Sequence, residues 1–158
     1  MKTSKWKAYA FWILLSEAVG ALSGWLTREG TRLFSETAAQ PPLSPPMWVF
    51  PVVWGGLYLL MGISAAQVSL TPQSEDRSRG LNLFALQLVV NFFWSLIFFN
   101  AQAYGFALLW LILLWILVFL MIRSYFAVDP AAAKLQLPYL LWLTFAAYLN
   151  AGVWYLNK

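Results

Sequence analysis

The sequence predicts an all-α integral membrane protein, a bundle of five transmembrane helices forming one domain over residues 1–158. Hydrophobic side chains make up 61% of the chain and charged ones 10%, well above the apolar share of about 45–50% in a soluble domain. The apolar residues also fall into long runs, each able at a rise of about 1.5 Å per residue to cross a hydrocarbon core of about 30 Å. The connections are too short and polar to build a separate core.

The first helix is expected over about 6–27. Lys2, Lys5 and Lys7 precede the apolar run Ala8–Leu26, a pattern that mimics a secretory signal peptide, but Glu17 interrupts the apolar region and argues for a retained span. Gly20 and Gly24, with Ser16 extending the small face, form a GxxxG pair suited to close approach, by bundle packing or by dimerisation. Residues 28–46 form the longest connection, a lid loop expected to fold back through Leu33, Phe34 and Leu43. Pro41, Pro42, Pro45 and Pro46 stiffen its end and place a helix start near Pro46.

The second helix is expected over about 47–70, bent by Pro51, with Phe50, Trp54, Tyr58 and Met61 on one face. After the polar turn Thr71–Arg79, the third helix, about 80–100, aligns Gln87 and Asn91 with Trp94 and Phe98. Two amides beside two aromatics in hydrocarbon need partners or a ligand. The short turn at 101–104 makes the fourth helix, about 105–126, an antiparallel neighbour. Asp129 and Pro130 are a cap and first-turn pair for the fifth helix, about 130–157, which Pro138 is expected to bend. On that helix Trp142, Ala146, Leu149 and Val153 share a face, a large indole beside a small residue, which leaves room for something flat.

Charge orients the bundle. Lys2, Lys5, Lys7, Arg77, Arg79, Arg123 and Lys134 fall on the N-terminal side, and only Arg28, Arg32 and Lys158 on the other. The positive-inside rule then makes the N-terminus cytoplasmic and the long loop external. The net charge of +4 is scattered at helix ends rather than gathered into a stripe, so nucleic acid is not expected as a partner. Cysteine and histidine are both absent, which removes disulfides, thiolate chemistry, the usual zinc sites and the common haem ligands. No metal site and no resident cofactor are expected.

Trp6, Trp25, Trp48 and Trp154 lie near span ends, where an interfacial belt accounts for them. Trp54, Trp94, Trp115 and Trp142 lie deeper, where core packing competes with a ligand cavity. Glu17 is the only acid well inside a span, a proton-relay candidate without an evident basic partner. Leu149, Tyr155 and Lys158 fit a cholesterol-type pattern common by chance.

The run Pro138–Ala146 with Leu149, Asn150 and Trp154 closely resembles the final helix of the TspO/MBR family, the tryptophan-rich sensory proteins and translocator proteins. The resemblance extends to Arg28, Gly30 and Arg32; to Pro45, Pro46, Trp48, Trp54, Gly55, Leu57, Tyr58, Met61 and Gly62; and to Gln87, Leu88, Asn91, Trp94, Phe98 and Phe99. It implies a five-helix bundle, often a homodimer, in a bacterial cell membrane, with one lid-closed cavity for porphyrins, sterols and synthetic aromatic ligands. By position the family's pocket falls on Trp54, Asn91, Trp94, Phe106, Trp142, Ala146 and Leu149. Porphyrin, protoporphyrin or haem-like, or a sterol-like small molecule is the implied partner besides membrane lipid, and a sensory or stress role in tetrapyrrole metabolism the implied function.

No conventional acid-base or nucleophilic site is present; light-dependent porphyrin breakdown, known among bacterial members, would use Trp54 and Trp142. A tetrapyrrole or sterol transporter is the further alternative, with Glu17 its one coupling group. The family's loop sequence departs here at Gln40, Pro41, Pro42 and Leu43, and at Phe34 and Ser35, so the lid is expected to close differently. Ser95 and Leu96 stand where animal members carry prolines.

Overall fold

The computed structural model describes residues 2–158, with side chains from Lys5 onward, so the Lys2 side chain in the charge count lies outside the described residues. The chain is an all-α membrane bundle: α1 Lys2–Leu26, α2 Arg28–Thr37, α3 Val49–Ser69, α4 Glu75–Ser95, α5 Tyr104–Val128, α6 Pro130–Leu135 and α7 Leu137–Asn157, with a π-helical turn Leu96–Asn100 continuing α4. Among the described residues, four helices are long and apolar enough to cross a membrane: Lys5–Leu26, Val49–Ser69, Glu75–Asn100 and Tyr104–Val128. α7 is 21 residues, as long as α3, but its proline, tyrosine, tryptophan and asparagine residues lower its hydropathy.

Several boundaries correct the sequence reading. The connection 28–46 is not all loop, because its first ten residues form α2. Pro51 lies in the first turn of α3, where no intrahelical donor is lost, so the expected bend has no cause there. The last helix is not continuous: the Asp129 carboxylate caps α6 by accepting from Ala131 and Ala132 N–H, and a new helix starts after Gln136 with Pro138 in its first turn.

The core is packed tightest toward the 70–75 and 129–136 connections. Met61, Phe84, Met121, Tyr125 and Ala132 are all fully buried, and Ser64 Oγ donates to the Ala132 carbonyl at 2.8 Å. Gly62 sits against the Ile13 backbone, so any Cβ there would overlap α1. Gly20 packs on the Tyr58 ring, whereas a Cβ on Gly24 would meet nothing within 4 Å. Within the bundle the GxxxG pair is used at one position: the α1–α3 approach is made at Gly62 and Gly20, and Gly24 borders open space.

Candidate functional site

That open space is a cavity of about 620 Å³ between α1, α3, the end of α4 and α7, within the range of about 300–1,000 Å³ usual for small-molecule sites. Trp54, Trp94 and Trp142 line it with Phe50, Tyr58, Phe98 and Phe99, and Ala146, Leu149 and Val153 leave the gap beside the indoles. α3 and α7 face each other through rings: Trp54 and Trp142 meet edge to face at 6.5 Å and 89°, and Phe50 meets Trp142 at 6.0 Å. A larger depression of about 890 Å³ at Gln73, Glu75, Arg79 and Leu86 is an open polar surface without an aromatic wall.

One end of the cavity is covered by α2 and the proline-rich segment after it, which contribute Arg28, Thr31, Phe34, Gln40 and Ser44. Phe34 is buried against Phe98 at 5.2 Å and Phe99 at 5.4 Å. Gly30 lets α2 lie on the π-helical turn, since a Cβ there would come within 2.7 Å of the Phe99 carbonyl oxygen. The wider π turn brings two consecutive phenylalanines, Phe98 and Phe99, to the cavity wall. The segment is latched to α7: Ala39 N–H donates to Asn157 Oδ1 at 3.0 Å, Asn157 Nδ2 donates to the Ala39 carbonyl at 2.7 Å, and Tyr148 Oη donates to the Pro42 carbonyl at 2.6 Å. Pro41 packs on Gly152. Of the three side chains expected to fold back, only Phe34 does; Leu33 is 41% and Leu43 82% exposed.

Polar groups in the walls are few. Trp94 Nε1 donates to Asn150 Oδ1 at 3.1 Å, and Asn150 Nδ2 to the Tyr104 carbonyl at 2.9 Å. The Trp142 Nε1–H is buried among protein atoms without a hydrogen-bond partner among the described residues. Arg28 has its guanidinium over the Trp25 ring at 4.3 Å. Arg32, by contrast, is engaged by Glu29 at 3.0 Å and Glu36 at 3.1 Å, which hold its pKa above the ordinary value.

Residues 12–156 match the model of the TspO/MBR family. The chain belongs to the TspO/MBR family. It is 41% identical over 123 residues, 77% of each chain, to Protein CrtK of Rhodobacter capsulatus. It is 36% identical over 149 residues, 94% of each chain, to Tryptophan-rich protein TspO of Chlorobaculum tepidum. To the Translocator protein of Bos taurus it is 34% identical over 156 residues, 97% of this chain and 92% of the relative.

Of the seven positions matched to the TspO/MBR pocket, Trp54, Trp94, Trp142, Ala146 and Leu149 line the cavity. Asn91 does not: it lies buried beyond the wall, receiving a hydrogen bond from Tyr58 at 2.6 Å and donating to Tyr139 at 2.7 Å. Phe106 is 56% exposed, with its ring stacked on Trp110. It faces away because α5 spends its inner stripe on α4 and α7 and adds no residue to the cavity. Trp115, set apart in the sequence, is likewise outside, stacked on Phe119 and donating to Thr144 Oγ1 at 2.9 Å. Glu17, Arg28 and Asn150 also line the cavity. An intramembrane acid and an arginine at a span end signalled the first two, while Asn150 stood inside the last-helix motif without a role. Gln40, Ser44 and Met47 carry no signal in the sequence that separates them from other loop residues.

Proposed function

We propose that this TspO/MBR protein binds porphyrin or a similar flat, hydrophobic tetrapyrrole in its aromatic cavity and serves as a sensory or stress-regulatory receptor in tetrapyrrole metabolism. The observation that carries this reading is the lidded cavity walled by Trp54, Trp94 and Trp142. Stacked or edge contacts to the indoles contribute about 0.5–1.5 kcal/mol each beyond area burial. The guanidinium of Arg28 at the lid end donates to the Trp25 carbonyl at 2.6 Å but has no carboxylate partner among the described residues, which suits the carboxylates of such a ligand. Titration with protoporphyrin in the dark, followed by Trp fluorescence quenching, should saturate at one ligand per chain; an unsaturable, lipid-like partition would sink the proposal.

A second reading, light-dependent porphyrin breakdown, is favoured by the contact of two oxidisable indoles, Trp54 and Trp142, on one cavity wall. Under illumination Trp54→Phe and Trp142→Phe should keep most binding and lose porphyrin bleaching; equal bleaching by parent and variants would leave a receptor alone.

We further propose a single five-span domain with a cytoplasmic N-terminus and a homodimeric assembly. The fifth span is supported by the way α7 runs along α5, with Asn150 bonded to Tyr104, Thr144 to Trp115, and Trp154 on Gly105. Orientation rests on the seven-to-three distribution of basic residues. A reporter fused after Lys158 should lie outside the cytoplasm, and a cytoplasmic signal would overturn the topology. The dimer rests on the family alone, and the mass of the detergent-solubilised protein decides it.

A further inference from the structure

The end of the cavity away from the lid is chemically unlike the rest. Tyr58 lines it, and its hydroxyl donates to Asn91 Oδ1 at 2.6 Å. Asn91 Nδ2 donates to Tyr139 Oη at 2.7 Å, and Tyr139 Oη donates to Gln87 Oε1 at 2.7 Å. All four side chains are buried, so the chain of bonds has one direction, running from the cavity into the bundle. A phenol has a single proton and two lone pairs. With the Asn91 and Gln87 amides in this orientation, Tyr58 commits its proton to Asn91 and its oxygen is left to accept from the cavity.

Glu17 lines the same region, one helical turn before Gly20, whose backbone packs on the Tyr58 ring. Among the described residues its carboxyl has no hydrogen-bond or ion-pair partner. Two acceptors therefore stand together at the floor. Glu17 stands nine residues before the end of α1 at Leu26, about 13 Å at helical rise, and Arg28 opens α2 beyond that end, so the positive group of the cavity is at its other end.

We infer that Glu17 and Tyr58 form a hydrogen-bond-accepting subsite that takes an ammonium or hydroxyl group carried by an otherwise apolar, planar ligand. This rests on the ligand-binding reading above and adds an orientation to it: a donor goes to the floor, and a carboxylate, repelled by Glu17, goes to Arg28. The subsite also rejects an ether or ketone there, because two acceptors facing each other in an apolar site leave both unpaired.

A pyrene series tests this, using the full chain in lipid nanodiscs and energy transfer from tryptophan to the bound probe. The probes are pyrene, 1-pyrenemethylamine as its ammonium, 1-pyrenemethanol and the methyl ether of that alcohol. Each probe is compared between parent and variant, so partition into lipid cancels. Glu17→Gln should weaken the ammonium probe about tenfold, the loss expected for a charge-assisted bond, and leave pyrene within about twofold. Tyr58→Phe should weaken the alcohol about threefold and bind its methyl ether as well as the parent or better, since one facing acceptor is gone. Equal effects on all four probes, or none on any, would overturn the subsite. Should Tyr58→Phe fail to fold, since it strips Asn91 of a partner, the Glu17→Gln series decides alone. Failure of pyrene itself to bind the parent overturns the ligand-binding reading, whereas pyrene binding without discrimination overturns only the subsite.

Discussion

The two ends of this bundle use the same residue types for opposite purposes. Toward the 129–136 connection, glycine removes space: Gly62 lets the Ile13 backbone of α1 close on α3, and Gly80 takes the Tyr125 ring. Toward the lid, glycine leaves space: Gly24 and Gly55 border room in which a Cβ meets nothing within 4 Å. Aromatic rings divide in the same way. Phe84 and Tyr125 are fully buried filler at the closed end, while Trp54, Trp94 and Trp142 wall a void at the other. Helix packing in lipid gains from close van der Waals contact rather than from hydrophobic burial, so the closed end holds the bundle together and the open end is free to hold a ligand.

The sharpest way to break this comparison is to fill both kinds of glycine. Gly62→Ala places a methyl against backbone, which cannot rotate away, and should cost at least the 1–3 kcal/mol or so typical of overpacking. Gly24→Ala adds a methyl to open space and gains up to about 1 kcal/mol of helix propensity. Thermal unfolding in detergent should show a clear drop for the first and no drop for the second. Equal shifts would mean the two ends are packed alike.

Next in size is the contrast between indoles. Trp142→Ala removes a wall and its stacking, and should weaken porphyrin binding about tenfold or more. Trp115→Ala, outside the cavity with its N–H spent on Thr144, should leave affinity within about twofold while costing some stability. Reversed ranking in a fluorescence titration would put the ligand on the α5 side of the bundle.

How far these features were legible differs between the two ends. Apolar runs alone located the long helices, and the i, i+4 spacing of Trp54 with Phe50 and Tyr58, and of Trp94 with Phe98, placed the aromatic faces that line the cavity. The role of each glycine was not legible, since GxxxG spacing is blind to what the facing helix brings. Asn91 was left open for a similar reason: an intramembrane amide demands partners or a ligand, and that two tyrosines from α3 and α7 meet the demand is a tertiary fact. α2 was missed although its signal was present, in Glu29, Arg32 and Glu36 at i, i+3 and i+7 spacing that builds ion pairs along one helix face. Its ten residues are too few to form a stable isolated helix, and Phe34 docked on the π turn provides the packing that stabilises it.

The smallest expected effect concerns the latch between the lid segment and α7. Asn157 exchanges two hydrogen bonds with Ala39, and Tyr148 adds one to Pro42, all in exposed positions where each contributes about 0.5–1.5 kcal/mol at most. None of these groups lines the cavity, so removing them changes the ease of opening rather than the contacts of a bound ligand. A combined Asn157→Ala and Tyr148→Phe variant should release porphyrin about threefold faster in stopped-flow fluorescence, with entry accelerated to match and the equilibrium affinity nearly unchanged. Trp142→Ala, which acts on contacts, should speed release without speeding entry. If the latch variant exchanged ligand at the parent's rates while Trp142→Ala did not, the ligand would not pass the lid. Its route would then lie between α1 and α3, where Gly24 and Gly55 leave the helices apart.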